Sequence, residues 1–118
     1  MVALATDLAD AASAVVRRYY RQPVPVDDKA DHSPVTIADR EAEHAVRVLL
    51  AQRRPADGIL GEEFGSERLD AEFVWVIDPI DGTKSFITGR PIFGALIALC
   101  RDGKPVAGVI ECSALGER

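Results

Sequence analysis

The N-terminal part of the chain shows the repeat of apolar residues that is typical of an amphipathic helix. The stripe recurs at intervals of three and four residues and comprises Leu4, Leu8, Ala11, Ala12, Val15, Val16 and Tyr19. Pro23 and Pro25 are expected to end this helix, because proline cannot continue one. The stretch 26–34 is polar and rich in turn-forming residues, so we interpret it as a loop.

A second helix is predicted directly after this loop. Its apolar face comprises Ala42, Ala45, Val46 and Leu49. Thr36 and Asp39 have the spacing of a capping box, with Asp in the place of the usual Glu. Pro55 is expected to close the helix.

Beyond this second helix the apolar pattern becomes that of strands. Strands are predicted at 58–61, 73–77, 92–100 and 106–112. The last two are separated by Asp102-Gly103, a typical hairpin turn, and a short helix is predicted to begin at Gly82. We therefore expect an α+β fold in which two helices pack on a largely antiparallel sheet.

Composition narrows the class of protein. The 118 residues are 47% hydrophobic and 28% charged, which suits one globular domain spanning 1–118. A net charge of −5 argues against a nucleic-acid partner, which would require a basic surface. No segment approaches the roughly 20 apolar residues of a membrane span, so no membrane partner is expected. No signal peptide is expected either, and we predict a cytoplasmic protein with Cys100 and Cys112 as free thiols.

Acidic residues follow two of the predicted strands, at the rim of the core. The first group is Gly61-Glu62-Glu63-Phe64-Gly65, and the second is Asp78-Pro79-Ile80-Asp81-Gly82-Thr83. Neither group contains a cation, and Lys84 is the first cation after the second group. Carboxylates at the rim of a core need partners, and several converging ones suit a hard ion such as Mg²⁺.

The spacing of the second group favours a shared ligand. Pro79 fixes its own φ and removes an N–H, which stiffens the turn. The stiff turn can aim the side chains of Asp78 and Asp81 and the Ile80 carbonyl at one point. A helix beginning at Gly82 would present free N–H groups to a phosphate. The same residue types are common in turns and caps, and a Glu-Glu pair is usually solvated, so a purely structural role stays open.

Together these motifs resemble the inositol monophosphatase family. That family is marked by Gly-Glu-Glu followed by Trp-x-Ile-Asp-Pro-Ile-Asp-Gly-Thr, which matches residues 61–63 and 75–83. The segment 34–39 resembles the family's Val-Thr-x-x-Asp segment, with Lys29 where the family often has lysine. The resemblance spans nearly the whole chain. It implies the N-terminal half of the layered αβαβα sugar-phosphatase fold, with the metal- and phosphate-binding residues.

The resemblance also implies a role for each matching residue. The implied Mg²⁺ ligands are Glu62, Asp78, Asp81 and the carbonyl of Ile80. The implied contacts to the substrate phosphate are Glu62, Ile80, Asp81, Gly82 and Thr83. The implied catalytic residues are Asp39, Glu62 and Thr83, with the Thr83 hydroxyl, backed by Asp39, orienting the attacking water. The family further implies two or three Mg²⁺ ions per complete site, a small-molecule phosphate ester as substrate, lithium sensitivity and a homodimer.

One departure from the family pattern concerns the second metal site. The family completes that site with an aspartate in a Trp-Asp-x-Ala motif, which the 118 residues lack. We therefore expect a truncated chain that is inactive alone and exposes an apolar face where a second domain would pack. A truncated relative that serves as an interaction domain is the alternative of another class.

The choice of substrate depends on the residues after the second acidic group. The segment 83–94 looks more like the histidinol-phosphate phosphatases of histidine biosynthesis than the inositol enzymes, which usually have Thr-Asn-Phe after the glycine. Histidinol phosphate is the favoured substrate, and inositol monophosphate or another small polyol phosphate is the alternative. A rival mechanism is that of haloacid-dehalogenase phosphatases, in which the first Asp of Asp-x-Asp-Gly-Thr attacks phosphorus. Here the aspartates are three apart with Pro79 between them.

Overall fold

The helices and strands follow the order that the apolar pattern predicts, with three additional short strands. The computed structural model describes residues 2–21, 26–28, 34–81, 89 and 94–112. The elements are α1 Val2–Tyr19, β1 Val26–Asp28, β2 Pro34–Thr36, α2 Ile37–Arg53, β3 Gly58–Gly61, β4 Gly65–Glu67, β5 Phe73–Asp81, β6 Gly94–Arg101 and β7 Lys104–Glu111. Of the described helices, neither combines the length and the apolar character needed to cross a membrane.

The main sheet has five strands in the order β4-β3-β5-β6-β7, and β1 and β2 form a separate antiparallel pair. All neighbours in the main sheet are antiparallel except β3 and β5, which run parallel. The helices α1 and α2 pack against each other and against the sheet. The buried side chains of the sheet include Ile59, Trp75, Ile77, Ile97 and Leu99. The predicted α+β architecture is confirmed.

The opposite face of the main sheet carries apolar residues that the two helices do not cover. Leu60, Val76 and Ala98 are register partners across three strands, and Leu60 is 43% exposed. Ile110 of β7 pairs with Leu96 and is 62% exposed. The expected apolar face is therefore present among the described residues. The packing of a second domain on it stays a prediction.

The strands β1, β2, β4 and β5 differ from the sequence-based interpretation. The stretch 26–34, interpreted as a loop, contains β1 and begins β2, which pair from Val26↔Thr36 to Asp28↔Pro34. The strand β4 is exposed at all three positions, so it lacks the alternation that reveals a strand. The strand β5 continues to Asp81 instead of ending at residue 77. The short helix predicted from Gly82 lies outside the described residues.

The predicted start of α2 and the predicted hairpin are confirmed. The Asp39 N–H donates to Thr36 Oγ1, while Asp39 Oδ2 accepts from the Thr36 N–H at 3.0 Å. This reciprocal pair is the capping box. Asp102 and Gly103 have φ of 50° and 80°, the left-handed conformation that a two-residue hairpin turn needs.

Asp57 connects the C-terminal end of α2 with the centre of the sheet. Its buried carboxylate accepts the Trp75 indole N–H at 2.9 Å and the Arg54 Nε–H at 2.8 Å. Its carbonyl accepts the Arg68 Nε–H at 2.9 Å. Arg68 directly follows β4, where the chain passes from one side of β3 to the other. Asp57 therefore supports the crossing that makes β3 and β5 parallel.

Asp57→Ala should lower the free energy of unfolding by about 2–4 kcal/mol, because it leaves the buried Trp75 N–H without its acceptor and Arg54 without its ion pair. Urea denaturation followed by the fluorescence of Trp75, the single tryptophan, measures the change. Asp70→Ala, which removes an exposed aspartate two residues after Arg68, is the matched control and should change stability by less than about 0.5 kcal/mol. Equal losses in the two variants would contradict the role of Asp57.

Candidate metal and phosphate site

The parallel pairing of β3 and β5 brings the two acidic segments together. Gly61 pairs with Ile77, and these are the residues directly before Glu62 and Asp78. The Glu62 N–H donates to the Ile77 carbonyl at 3.3 Å, which extends the pairing by one step. Because the carboxyl ends of parallel strands lie at one edge of a sheet, Glu62 and Asp78 are neighbours there.

Glu62 and Asp78 line one cavity of about 270 Å³. The other lining residues are Leu60, Gly61, Val76 and Ile77. Leu60 and Val76 belong to the apolar face, so the cavity lies on the side of the sheet away from the helices. Glu62 is exposed and Asp78 is half-buried, so both carboxylates are accessible to a ligand.

A β-bulge in β5 sets the positions of the two aspartates. Asp78 pairs with Leu96 of β6. Asp81 pairs with Gly94, so β5 advances three residues while β6 advances two. Since strand positions two apart share a face, the extra residue brings Asp78 and Asp81 to register positions of the same face. Pro79, within the bulge, has no N–H to lose from the ladder.

The remaining predicted site residues lie partly outside the described region. Gly82 and Thr83 are outside it, and of Asp81 only the backbone is described. The Ile80 side chain is 2% exposed, which anchors the backbone between the aspartates. Asp39 is buried in the capping box at the start of α2. Its predicted pairing with Thr83 therefore stays a prediction, as does the convergence of Asp81 with the other ligands.

The donor set fits a hard divalent cation as far as it is described. The cavity has two carboxylates on adjacent strands, and oxygen ligands are what Mg²⁺ takes. Among the described side chains, no group of three or more His, Cys, Asp or Glu is positioned to hold a metal. The side chain of Asp81, the third predicted carboxylate, is not among the described ones. The full ligand set of Glu62, Asp78, Ile80 and Asp81 is a prediction that the geometry of the first two supports.

A further carboxylate contacts the turn that carries Glu62. Glu43 of α2 is fully buried and accepts the N–H groups of Glu63 and Phe64, both at 2.9 Å. The sequence alone gives no reason to assign Glu43 to the site, because a Glu four residues before an Arg is usually a solvated helical pair. The signal in the sequence that could have indicated its burial is that Glu43 directly follows Ala42, a residue of the predicted apolar face.

The model of the inositol monophosphatase family matches residues 1–118. The chain belongs to that family. A protein of Arabidopsis thaliana named "Bifunctional phosphatase IMPL2, chloroplastic" is 51% identical over 118 residues, covering 98% of this chain and 34% of the relative. A histidinol-phosphatase of Mycobacterium tuberculosis is 47% identical over 116 residues, covering 98% of this chain and 45% of the relative. The chain thus spans between one third and one half of these relatives.

A solved structure from the same family matches the fold as well. The structure of an inositol monophosphatase from Zymomonas mobilis superposes with a TM-score of 0.78 at 54% sequence identity. The match covers 95% of this chain and 43% of that one. Similar proteins therefore carry both the histidinol-phosphatase and the inositol monophosphatase name, and the names leave the substrate of this inositol monophosphatase family member open.

Glu62→Gln and Asp78→Asn should each weaken divalent-cation binding by about tenfold or more, because a Mg²⁺ site relies on only a few carboxylates. Titration of the intact protein with Mn²⁺, followed by electron paramagnetic resonance of the free ion, measures the affinity. Glu63→Gln removes the same charge from the adjacent residue and should change the affinity by less than about twofold. A loss in Glu63→Gln as large as that in Glu62→Gln would remove the distinction between the two carboxylates.

Proposed function

We propose that the intact protein that contains this chain is a metal-dependent phosphomonoesterase. The observation that carries the proposal is the meeting of Glu62 and Asp78 at one cavity, at the carboxyl ends of adjacent parallel strands. Two carboxylates from adjacent strands that line one cavity suit an oxygen-coordinated ion. Membership of the inositol monophosphatase family and relatives named as phosphatases support the same function.

The proposed mechanism assigns one task to each residue. A bound Mg²⁺ would supply positive charge that makes water a stronger nucleophile and offsets the charge on the phosphoryl and leaving oxygens. Glu62 and Asp78 would hold the cation, together with Asp81 and the Ile80 carbonyl. The backbone N–H groups of Gly82 and Thr83 would bind the phosphate oxygens. The Thr83 hydroxyl would position the attacking water and take its proton while passing its own proton to the Asp39 carboxylate.

We propose histidinol phosphate as the substrate, with histidinol and phosphate as the products. The segment 83–94 and the 47% identical histidinol-phosphatase of Mycobacterium tuberculosis support this choice. Inositol 1-monophosphate is the second candidate, supported by the 54% identical inositol monophosphatase from Zymomonas mobilis. We further propose two or three Mg²⁺ ions per site and a homodimer. We also propose a cytoplasmic location, although the relative from Arabidopsis thaliana is named as chloroplastic.

In the intact protein, Asp78→Asn should reduce phosphate release by about 10²–10³-fold, because it removes a carboxylate that holds the cation near the developing charge. Rapid acid quench and mass spectrometry of the peptide containing Asp78 should find no phosphoaspartate in the wild type. A trapped phosphate on Asp78 would instead identify this residue as the nucleophile, as in the haloacid-dehalogenase mechanism. Asp70→Asn is the control for an exposed aspartate and should keep full turnover.

The intact protein should hydrolyse histidinol phosphate with a higher kcat/KM than inositol 1-monophosphate, and lithium should inhibit both reactions. Phosphate release in Mg²⁺, with and without lithium, measures the comparison. The 118-residue chain alone should release no phosphate above background, because the second metal site lacks its Trp-Asp-x-Ala aspartate. Turnover by the 118 residues would show that the site is misplaced. An intact protein inactive on both esters would favour the interaction-domain alternative.

A further inference from the structure

Glu43 is a buried carboxylate that none of the proposed catalytic steps uses. Its side chain is fully buried, on the helix that packs against β5. Oε1 accepts the Glu63 N–H and Oε2 accepts the Phe64 N–H, both at 2.9 Å. An ionised carboxylate removed from water is costly unless it is hydrogen-bonded. Both bonds go to the turn that begins with Glu62.

Arg47 holds the other side of the same turn. Its Nε–H donates to Glu43 Oε2 at 3.0 Å, forming an ion pair four residues apart on α2. A second guanidinium nitrogen donates to the Gly65 carbonyl at 2.6 Å, and a third donates to Glu67 of β4 at 3.1 Å. The turn 62–65 is therefore attached to α2 through N–H groups on one side and a carbonyl on the other.

Gly61 shows how closely the Glu43 carboxylate approaches the strand. A Cβ added at Gly61 would lie 2.5 Å from the Glu43 carboxyl carbon, well inside normal contact distance. The end of a glutamate side chain can usually move, but here it would have to leave two amides and Arg47. Glycine is therefore required at this position by the carboxylate behind it.

We infer that Glu43 is a positioning residue for the metal site, which holds the Glu62 turn so that the Glu62 carboxylate stays at the cavity beside Asp78. The inference rests on the proposed metal site. Its reason is that Glu62 lines the cavity from the short turn between β3 and β4, and Glu43 accepts the N–H groups of the next two residues of that turn. Partners behind a metal ligand commonly change affinity by 10–100-fold when removed, because they fix the ligand's direction.

Glu43→Gln should weaken Mn²⁺ binding to the intact protein by about tenfold or more. The glutamine oxygen can still accept one N–H, but its amide nitrogen would face the second N–H donor to donor. Amide hydrogen exchange, read by mass spectrometry of a peptide covering the turn, should become faster at Glu63 or Phe64. Exchange in α1 should stay unchanged, which separates loss of the turn from loss of the fold.

Glu41→Gln is the matched control, with the same charge change two residues away on α2. Glu41 accepts the Tyr19 hydroxyl at 2.7 Å and lies toward α1, away from the turn. This variant should keep the Mn²⁺ affinity and the exchange rate of the turn, whatever it does to the melting temperature. Equal Mn²⁺ affinity in Glu43→Gln and the wild type would overturn the positioning role.

Gly61→Ala provides an independent test, since it displaces the Glu43 carboxylate without removing it. Gly61→Ala should weaken Mn²⁺ binding to a degree similar to Glu43→Gln. The variant with both substitutions should bind Mn²⁺ no more weakly than whichever single variant binds it more weakly, because both changes break the same interaction. Fully additive losses would contradict the inference. If Glu62→Gln leaves the Mn²⁺ affinity unchanged, the proposed metal site itself is wrong. If Glu62→Gln lowers the Mn²⁺ affinity but Glu43→Gln does not, only the positioning role of Glu43 is wrong.

Discussion

The parallel pairing of β3 with β5 is the constraint on which the site depends, because every other pair in the main sheet is antiparallel. If β3 ran the other way, the segment with Glu62 would leave from the opposite edge of the sheet. The parallel arrangement requires the chain to pass from β4, on one side of β3, to β5 on the other. Arg68 and Asp57 support that crossing at one end of β3, and Glu43 supports the turn at the other. Charged groups at both ends of β3 thus fix the strand that precedes Glu62.

The energetics of these charged groups differ from those of the apolar core. Trp75, Ile77 and Ile97 are buried under the helices, and their burial stabilises the fold by about 25 cal/mol per Å² of apolar surface removed from water. This contribution does not depend on the relative orientation of the groups. The bonds of Glu43 depend on direction, because a carboxylate accepts a backbone N–H well only near a straight line. A buried ion pair such as Glu43–Arg47 adds little net stability compared with a well-packed apolar pair. What it adds here is a defined path for the chain between β3 and β4.

Much of the fold could be predicted from the sequence, because it depends on local patterns. The helical stripe, the Thr36–Asp39 capping box and the Asp102-Gly103 turn are each set by neighbouring residues and are confirmed. The short strands β1, β2 and β4 could not be predicted, because backbone pairing alone defines them. At the site, the motifs identified Glu62 and Asp78, but their adjacency depends on a register between distant segments. Glu43 could not be predicted as a residue of the site, because only tertiary packing distinguishes a buried helical carboxylate from a solvated one.

The composition of the cavity bears on why proteins similar to this chain carry two substrate names. Its described lining offers two carboxylates, the apolar side chains of Leu60, Val76 and Ile77, and the backbone of Gly61. Carboxylates suit a cation and hence the phosphate that every phosphomonoester shares, whereas an imidazole and a polyol differ in the groups attached to that phosphate. Within the described lining, no side chain besides the two carboxylates could hydrogen-bond either group, and such bonds are what separate substrates strongly. In the proposed function, discrimination between the two esters would therefore come from residues outside the described lining, while Glu62 and Asp78 would serve the phosphate that both esters carry.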